Sequence, residues 1–258
     1  MAGRELPPSS PFSGDDGAAA PAVAAALDAL AAGTGSVAGV VGALVGTRVL
    51  VPVLAELEAE GVAVHGGHAH AVDKEASAGI VALRAPDGRT ALPVFTSVAT
   101  MTAWRADARP VPSDIARAAL SAVTEGWEVL VVDPGGPTTV LVPRPAVWAL
   151  AQQHTWHPAV GPDGVDAQVR AAIVAAVGPV PGVRAVDALP GTRAEVAVVV
   201  DLAAGLDRAG LDAVLAGVNV ALAGVELVAA RVDSLELRPR AEAVSADARP
   251  RRGLRRSR

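Results

Sequence analysis

Three closely spaced histidines form the clearest chemical motif of the sequence. His65, His68 and His70 stand in the run His-Gly-Gly-His-Ala-His, and neutral imidazoles are ligands for Zn²⁺ and Ni²⁺. Asp73 or Glu75 could add an oxygen ligand. A specific site, however, needs ligands that surrounding hydrogen bonds hold in place, and the glycines make this loop compliant. We therefore interpret the segment as a solvated loop and keep a metal-binding or metal-sensing site as the alternative hypothesis.

A glycine motif near the start of the chain is a near match to a dinucleotide-binding turn. Gly33, Gly35 and Ala38 have the spacing Gly-x-Gly-x-x-Ala, in which glycines let backbone amides approach a pyrophosphate. That fingerprint requires a buried strand directly before it, whereas an Ala-rich stretch that favours helix precedes Gly33. We predict instead that Gly33 ends one helix and Ser36 caps the next.

The common catalytic motifs are missing. The sequence lacks Gly-x-Ser-x-Gly, a phosphate-binding loop and His-Glu-x-x-His, and the absence of cysteine excludes thiolate chemistry and disulfides. Asp133, Asp187 and Asp201 stand near predicted strand ends, where catalytic carboxylates often lie, but none has an identifiable acid or base partner. Asp133 precedes Pro134 and is predicted to stabilise a turn. No catalytic residue, cofactor or firm metal ligand is predicted.

Two further histidines, His154 and His157, flank Trp156 in a segment that contains proline and glycine. Imidazoles change charge near neutral pH, so they could be pH-sensitive packing residues. We expect ordinary packing at the surface.

Charge is distributed unevenly along the chain. The net charge is −5, but the last ten residues carry six arginines and no acid, so the rest is more acidic than the whole. Nucleic-acid-binding faces need clustered Lys or Arg, and we expect no nucleic-acid partner for the acidic body. The arginine tail could contact anionic lipid or nucleic acid, but without an apolar anchor we expect a solvated end.

An uncharged run of 19 residues, from Ala29 to Thr47, raises the possibility of a membrane span. Its Gly-x-x-x-Gly spacing is found in transmembrane helix dimers. The run also contains five glycines and three hydroxyl residues, which make insertion unfavourable. We expect no stable span. Because a basic start followed by an apolar stretch is also lacking, we expect a cytoplasmic location.

The order of helix and strand patterns predicts an α+β protein. We expect a mixed or antiparallel sheet with helices in two layers, followed by a smaller C-terminal α-β-β-α-β sandwich. The predicted domain limits are a disordered segment at 1–20, a first domain at 21–153, a linker at 154–164, a second domain at 165–240 and a basic disordered tail at 241–258. The coding composition, with one lysine against many arginines, reflects GC-rich codons.

Individual elements follow from caps, turns and apolar spacing. Helices are predicted at 21–32, 36–45, 97–104, 113–124, 145–153, 165–177 and 207–216. Strands are predicted at 49–53, 183–189, 193–200 and 225–237, and hairpins at 79–95 and 127–142. In the helix at 113–124, Ser113 is the expected cap, and Ile115, Leu120 and Val123 are expected on the apolar face. Pro52 is expected to place its strand at an edge or a bulge.

Several sequence blocks resemble the amino-terminal domain of SseB-family proteins of actinobacterial type. They are Arg-Val-Leu-Val-Pro-Val at 48–53, Asp-Gly-Arg-Thr-Ala-Leu-Pro-Val-Phe-Thr-Ser at 87–97, Trp104 with Ala-Arg-Pro-Val-Pro at 108–112, Leu-Val-Val-Asp-Pro-Gly-Gly-Pro at 130–137 and Ala-Leu-Ala at 149–151. The likeness spans about residues 25–153, and residues 165–240 resemble the family's less constant second part. The resemblance implies no catalytic residues, and the three histidines at 65–70 depart from the acidic loop of similar proteins.

The leading hypothesis is a non-catalytic protein-interaction or regulatory module with a protein partner. It rests on the resemblance and on the missing acid, base and nucleophile motifs. The alternatives are the metal site at His65, His68 and His70 and an enzyme with a composite site between the two domains.

Overall fold

The computed structural model describes residues 12–54, 81–85 and 87–241. It divides into two compact units that meet in the chain between His157 and Pro158, here called unit 1 and unit 2. Residues 1–11 and 242–258 lie outside the described residues, and so do the predicted disorder of those ends and the three histidines at 65–70.

Unit 1 alternates helices and short strands. Its elements are α1 Pro21–Ala31, α2 Val37–Leu44, β1 Arg48–Val53, β2 Leu83–Arg84, β3 Thr90–Val94, α3 Val98–Trp104, β4 Arg109–Asp114, α4 Ile115–Thr124, β5 Val129–Val132, β6 Val140–Val142 and α5 Arg144–Ala151.

The main sheet of unit 1 has the strand order β2-β3-β5-β6. Both predicted hairpins are confirmed, because β2 pairs with β3 and β5 pairs with β6 in antiparallel fashion. The expected mixed or antiparallel sheet is confirmed in its mixed form, since β3 and β5 are parallel. The chain between them crosses through α3, β4 and α4, and a parallel pair needs a crossover of this kind.

A second ladder joins β1 and β4. Pro52 lies opposite Pro110 in it, so two of the three prolines of this ladder, which cannot donate a ladder hydrogen bond, face each other. β4 was not predicted, and it changes the start of the next helix: Ser113 belongs to β4, and Asp114 is the N-cap of α4. The predicted Ser36 cap is confirmed, because its hydroxyl accepts from the Gly39 amide. Because a helix, α1, and not a strand precedes this helix start, the segment does not have the structure of a dinucleotide-binding turn.

The core of unit 1 lies mainly on one face of this sheet. Helices α1, α2, α4 and α5 cover it with aliphatic side chains, and the largest cluster includes Val23, Leu44, Leu92, Ile115, Leu130 and Leu150. A smaller cluster on alternate strand positions includes Ala91, Val129 and Val131. The alternation follows from the two-residue period of a strand.

Residues before α1 contact the first strand of unit 1. Arg48 at the start of β1 forms an ion pair with Asp15 and donates a hydrogen bond to the Ala18 carbonyl at 2.9 Å. These contacts join residues that precede α1 to the first strand of unit 1, and the predicted domain limit at residue 21 stays a prediction.

Unit 2 is a three-stranded sheet with helices and a small hairpin. Its elements are β7 Val160–Gly161, β8 Gly164–Val165, α6 Ala167–Val177, β9 Val183–Pro190, β10 Val196–Leu202, α7 Arg208–Ala223, α8 Glu226–Arg231 and β11 Leu235–Ala241. The strand order is β11-β10-β9, with β9 antiparallel and β11 parallel to the central β10.

The predicted last strand at 225–237 is partly wrong. Its first half forms α8, whose acidic Glu226 lies in the first turn and basic Arg231 in the last, in favourable orientation to the helix dipole. Only from Leu235 does the chain join the sheet. The central strand β10 packs Val196, Val198 and Val200 into one cluster with α6, α7 and α8. The protein is therefore an α+β fold, as predicted.

Within the described residues no helix is long and apolar enough to cross a membrane. The uncharged run at 29–47 is divided between α1 and α2, which are separated at Gly33, a residue with φ of +72°.

Candidate functional site

The predicted site residues do not converge in the part of the chain that the structure describes. The three histidines at 65–70 lie outside it, and no group of three or more metal-ligating side chains forms within it. His154 and His157 are exposed, whereas Trp156 is half-buried and packs against the core of unit 1.

Asp133 is the most enclosed of the predicted carboxylates. It follows β5, is only 3% exposed and has a φ of +46°, a left-handed conformation that Asp tolerates better than most residues. One carboxylate oxygen accepts from the Thr96 amide at 2.8 Å and from the Thr100 hydroxyl at 2.9 Å. The other accepts from the Thr96 hydroxyl at 2.6 Å.

The backbone around Asp133 is equally engaged. Its carbonyl accepts from the Gly136 amide at 3.0 Å and from the Thr139 hydroxyl at 2.9 Å. The predicted turn role of Asp133 is therefore confirmed. Because the side chain joins the end of β5 to the start of α3, we call Asp133, Thr96 and Thr100 the Asp133 network. Both its oxygens are occupied, which favours a structural role over proton transfer.

The other two predicted carboxylates lie in unit 2. Asp187 on β9 forms an exposed ion pair with Arg170 of α6 at 2.6 Å. The hydrogen bond from Arg170 lowers the pKa of Asp187. Asp201 on β10 lies opposite Arg240 of β11 in the parallel ladder. Neither aspartate belongs to a group of three or more metal-ligating side chains among the described residues.

A surface groove in unit 1 was not predicted. It has a volume of about 630 Å³ and lies among the turn before β1, the first two turns of α4 and the end of α5. Its lining includes Val45, Ile115, Arg117, Leu120, Leu150 and His154. We call it the α4–α5 groove.

The floor and rim of the α4–α5 groove differ in exposure. Ile115 and Leu150 form a buried floor, with 1% and 3% of their surface exposed. Val45 and Leu120 stand at the rim with 51% and 54% exposed. Two large aliphatic side chains are therefore held in water next to a concave apolar surface.

Helix phase explains the exposure of Leu120. The buried positions of α4 are Ile115, Ala118, Ala119 and Ala122, which share one face at spacings of three, four and seven. Leu120 lies outside this stripe, so its predicted burial with Ile115 is wrong. One sequence signal could have indicated the groove. Leu120 does not share the spacing of Ile115 and the three core alanines of α4, so it lies on another face of the helix.

The other wall depends on how α5 ends. Gln153 has a φ of +58°, and the amide of His154 donates back to the Ala149 carbonyl at 2.8 Å. This left-handed turn satisfies carbonyls at the end of the helix. It also turns the chain so that Gln153 and His154 line the groove.

Opposite charges stand at the start of α4. Asp114 is the N-cap residue, but its carboxylate forms no capping hydrogen bond. Arg117 is exposed one turn later. In the described part of the chain neither side chain takes part in an ion pair within 4.0 Å. Among the described residues, the rim therefore presents an anion and a cation that no ion pair engages.

Unit 2 contains two glutamates whose surroundings act in opposite directions. Glu236 on β11 accepts from the Thr192 amide at 2.7 Å and from Arg238. These hydrogen bonds, with the backbone amide of Thr192 first, lower the pKa of Glu236 to about 2. Burial instead raises the pKa of Glu195, which precedes β10, and the nearby Asp233 charge adds to that effect.

Comparison with known families gives one match, whereas comparisons with curated proteins and with solved structures found none. The match is to the family described as SseB protein N-terminal domain, and it covers residues 23–149. The matched segment contains the Asp133 network and most of the α4–α5 groove. On this match, the chain belongs to the SseB family.

Proposed function

We propose that this SseB-family protein is a non-catalytic interaction module that binds a protein partner through the α4–α5 groove. The observation that carries the proposal is the pair of exposed aliphatic side chains, Val45 and Leu120, at the rim of a concave apolar surface. The expected cytoplasmic location belongs to the same proposal and is supported by the absence of cysteine.

The exposed pair supplies a driving force for docking. Burying an aliphatic side chain completely contributes about 1.5–3 kcal/mol, so covering the exposed half of Val45 or Leu120 is worth about 1 kcal/mol each. Apolar centres surrounded by polar rims are typical of protein interfaces. The buried floor needs no partner for its own stability, because Ile115 and Leu150 already belong to the core.

The rim charges supply selectivity. Asp114 and Arg117 are exposed, carry opposite charges and lie one helical turn apart. Complementary charges on a partner would set its orientation and its rate of association more than its affinity. An acidic partner surface would be attracted to Arg117 and repelled by Asp114, so the pair favours one docking direction.

The buried carboxylates support a non-catalytic role. Asp133 is surrounded by donors that satisfy both oxygens, and Glu236 is held in the same way. A general base must instead reach its substrate, whereas Asp133 and Glu236 are both buried. The acidic charge of the body likewise favours a protein over a nucleic acid as partner.

Site-specific photo-crosslinking tests the proposal. A photoreactive residue replaces Leu120 in the full chain, and a matched chain carries it at Val220, which is 74% exposed on α7 of unit 2. We expect a discrete crosslinked protein from position 120 only. Excess unlabelled wild-type chain should compete for it, and a Leu120→Asp chain should not.

Two results would contradict the proposal. One is equal competition by the wild-type and Leu120→Asp chains, which would show that the captured protein does not use the groove. The other is turnover of a metabolite by the purified chain that persists in Leu120→Asp.

A further inference from the structure

The first residues of unit 2 form a short hairpin that is closed at its base. Strands β7 and β8 pair between Val160 and Val165. The amide of Asp166 donates to the carbonyl of Ala159 at 2.8 Å, and Ala159 is fully buried in the core of unit 2. A two-stranded hairpin of this size is marginal in water without further contacts. Other elements must therefore hold it.

Arg231, the last residue of α8, reaches both ends of this hairpin. One terminal nitrogen donates to the Asp166 carboxylate at 3.1 Å, and the other donates to the Pro158 carbonyl at 3.4 Å. Its Nε is buried and has no hydrogen-bond partner among the described residues. The guanidinium is thus held by its two terminal nitrogens, and it joins Pro158 to Asp166 across the base of the hairpin.

Asp166 transmits this contact to a helix. Its carboxylate also accepts from the amides of Gln168 at 3.0 Å and Val169 at 3.2 Å, which caps α6. The amide of Val169 and then the Arg231 side chain lower the pKa of Asp166. One carboxylate therefore fixes the end of the hairpin, the start of α6 and the tip of Arg231.

Glu195 supplies a second attachment from the start of β10. Its carboxylate accepts from the Asp233 amide at 2.7 Å and from the backbone amide of Ala159. The groups that face it are Asp233, which disfavours its charge, and Arg231, which favours it. Since Arg231 already binds Asp166, its guanidinium is shared between two acids, Asp166 and Glu195, among the described residues.

We propose that Arg231 and Glu195 form a latch on the hairpin at 158–166 that loosens as the pH rises. The geometry gives the latch, because Pro158, Ala159 and Asp166 are each bonded to one of the two side chains. The charge balance gives its direction. Deprotonation leaves a partly buried carboxylate beside Asp233 with only a share of one cation, and this is the costly form.

The sign follows from linkage. Burial raises the folded pKa of Glu195 above its ordinary value of 4.5. The stabilising contribution is therefore fully present below that value and is lost as pH rises through the folded pKa. Hydrogen exchange of the Ala159 and Asp166 amides, corrected for intrinsic rates and followed from about pH 4 to about pH 8, reports the latch directly.

The full chain is compared with Arg231→Met, Glu195→Gln and the control Arg170→Met, which removes an exposed ion pair elsewhere in unit 2. We expect Arg231→Met to raise hairpin opening about tenfold, as for the loss of one or two ordinary hydrogen bonds. The control should leave opening unchanged. Glu195→Gln should remove the rise in opening with pH that the wild-type chain shows.

Protection of the Val198 amide in the core distinguishes local opening from unfolding of unit 2. Wild-type protection of the hairpin in Arg231→Met, or the same pH dependence in Glu195→Gln as in the wild-type chain, would overturn the latch. If Arg231→Met unfolds, the comparison of Glu195→Gln with the wild-type chain decides alone.

Discussion

Two helix starts in unit 1 gather polar side chains, and they are built in opposite ways. At the start of α3 the Asp133 network is buried, and both carboxylate oxygens accept hydrogen bonds. At the start of α4, Asp114 and Arg117 are exposed beside the apolar rim of the α4–α5 groove. Polar groups that already accept hydrogen bonds within the fold contribute little to the binding of a partner. Exposed charges and exposed apolar side chains can contribute to it. The first region therefore stabilises the fold, and the second is where we place binding.

The largest expected effect comes from removing the Asp133 carboxylate from the Asp133 network. Asp133→Ala leaves the buried amide and hydroxyl of Thr96 without their acceptor and removes one contact of the half-buried Thr100 hydroxyl, so we expect the free energy of unfolding to fall by about 3 kcal/mol. The matched change at the start of α4, Asp114→Ala, should lower the free energy of unfolding by no more than about 0.5 kcal/mol. Urea unfolding of the full chain measures both.

The left-handed φ of Asp133 requires a second variant. Asp133→Asn keeps one acceptor oxygen in a residue that tolerates this conformation. Its loss should therefore be smaller than that of the alanine variant. Equal losses for Asp133→Ala and Asp114→Ala would remove the distinction between the two regions.

The next effect is on binding. Leu120→Asp should weaken capture of the partner by about 2 kcal/mol, because it removes an apolar contact and places a charge against an apolar surface. Because Leu120 is 54% exposed, the same change should alter the unfolding free energy by only about 0.5 kcal/mol. Leu150→Ala, in the buried floor, should instead cost about 2–5 kcal/mol of stability. Binding measured by competition and stability measured by urea should therefore separate rim from floor.

A third prediction concerns the contribution of Thr100 to the Asp133 network. Thr100→Val keeps the shape of the side chain but removes a hydroxyl that contacts both Asp133 and the Ser97 cap, so we expect a loss of about 1 kcal/mol. The control Thr124→Val removes an exposed hydroxyl that donates to the Leu120 carbonyl. It should cost less than about 0.5 kcal/mol. A loss of equal size in the two variants, in thermal or urea unfolding, would show that the network adds nothing to Thr100.

The sequence predicted the local parts of this picture better than the assembled ones. The Asp133 turn and the Ser36 cap depend on neighbouring residues, and both are confirmed. The Thr96 and Thr100 partners of Asp133 lie more than 30 residues away and meet it only because β3 and β5 pair in parallel. That pairing has no local signal.

The groove was hidden for a related reason. Leu120 is apolar, and apolar residues on a helix are normally assigned to its core face. In α4 the core face is made of alanines, whose small size weakens the periodic signal. The exposure of Leu120 became visible only when helix phase was fixed by packing against the sheet.

Unit 2 extends the comparison to pH, with a smaller expected effect. The Glu236 carboxylate, like that of Asp133, accepts hydrogen bonds within the fold, and they lower its pKa from 4.5 to about 2. Its stabilising contribution is therefore present above pH 4.5 and is lost as the pH falls toward about 2. The wild-type chain should be more stable than Glu236→Gln at neutral pH, and the difference should vanish in acid. The exposed Glu226→Gln serves as control, and acid titration of unfolding measures all three.

Glu195 should give the smallest effect and the opposite sign. It accepts hydrogen bonds, as Glu236 does, but burial and the Asp233 charge outweigh them and raise its pKa. Its contribution is therefore present below 4.5 and lost as the pH rises through the folded pKa. Glu195→Gln should match the wild-type chain in acid and exceed it in stability at neutral pH. If Glu195→Gln and Glu236→Gln are instead both destabilised at neutral pH, burial does not set the direction of the pKa shift at Glu195. The hydrogen bonds that each carboxylate accepts would then set its contribution to stability.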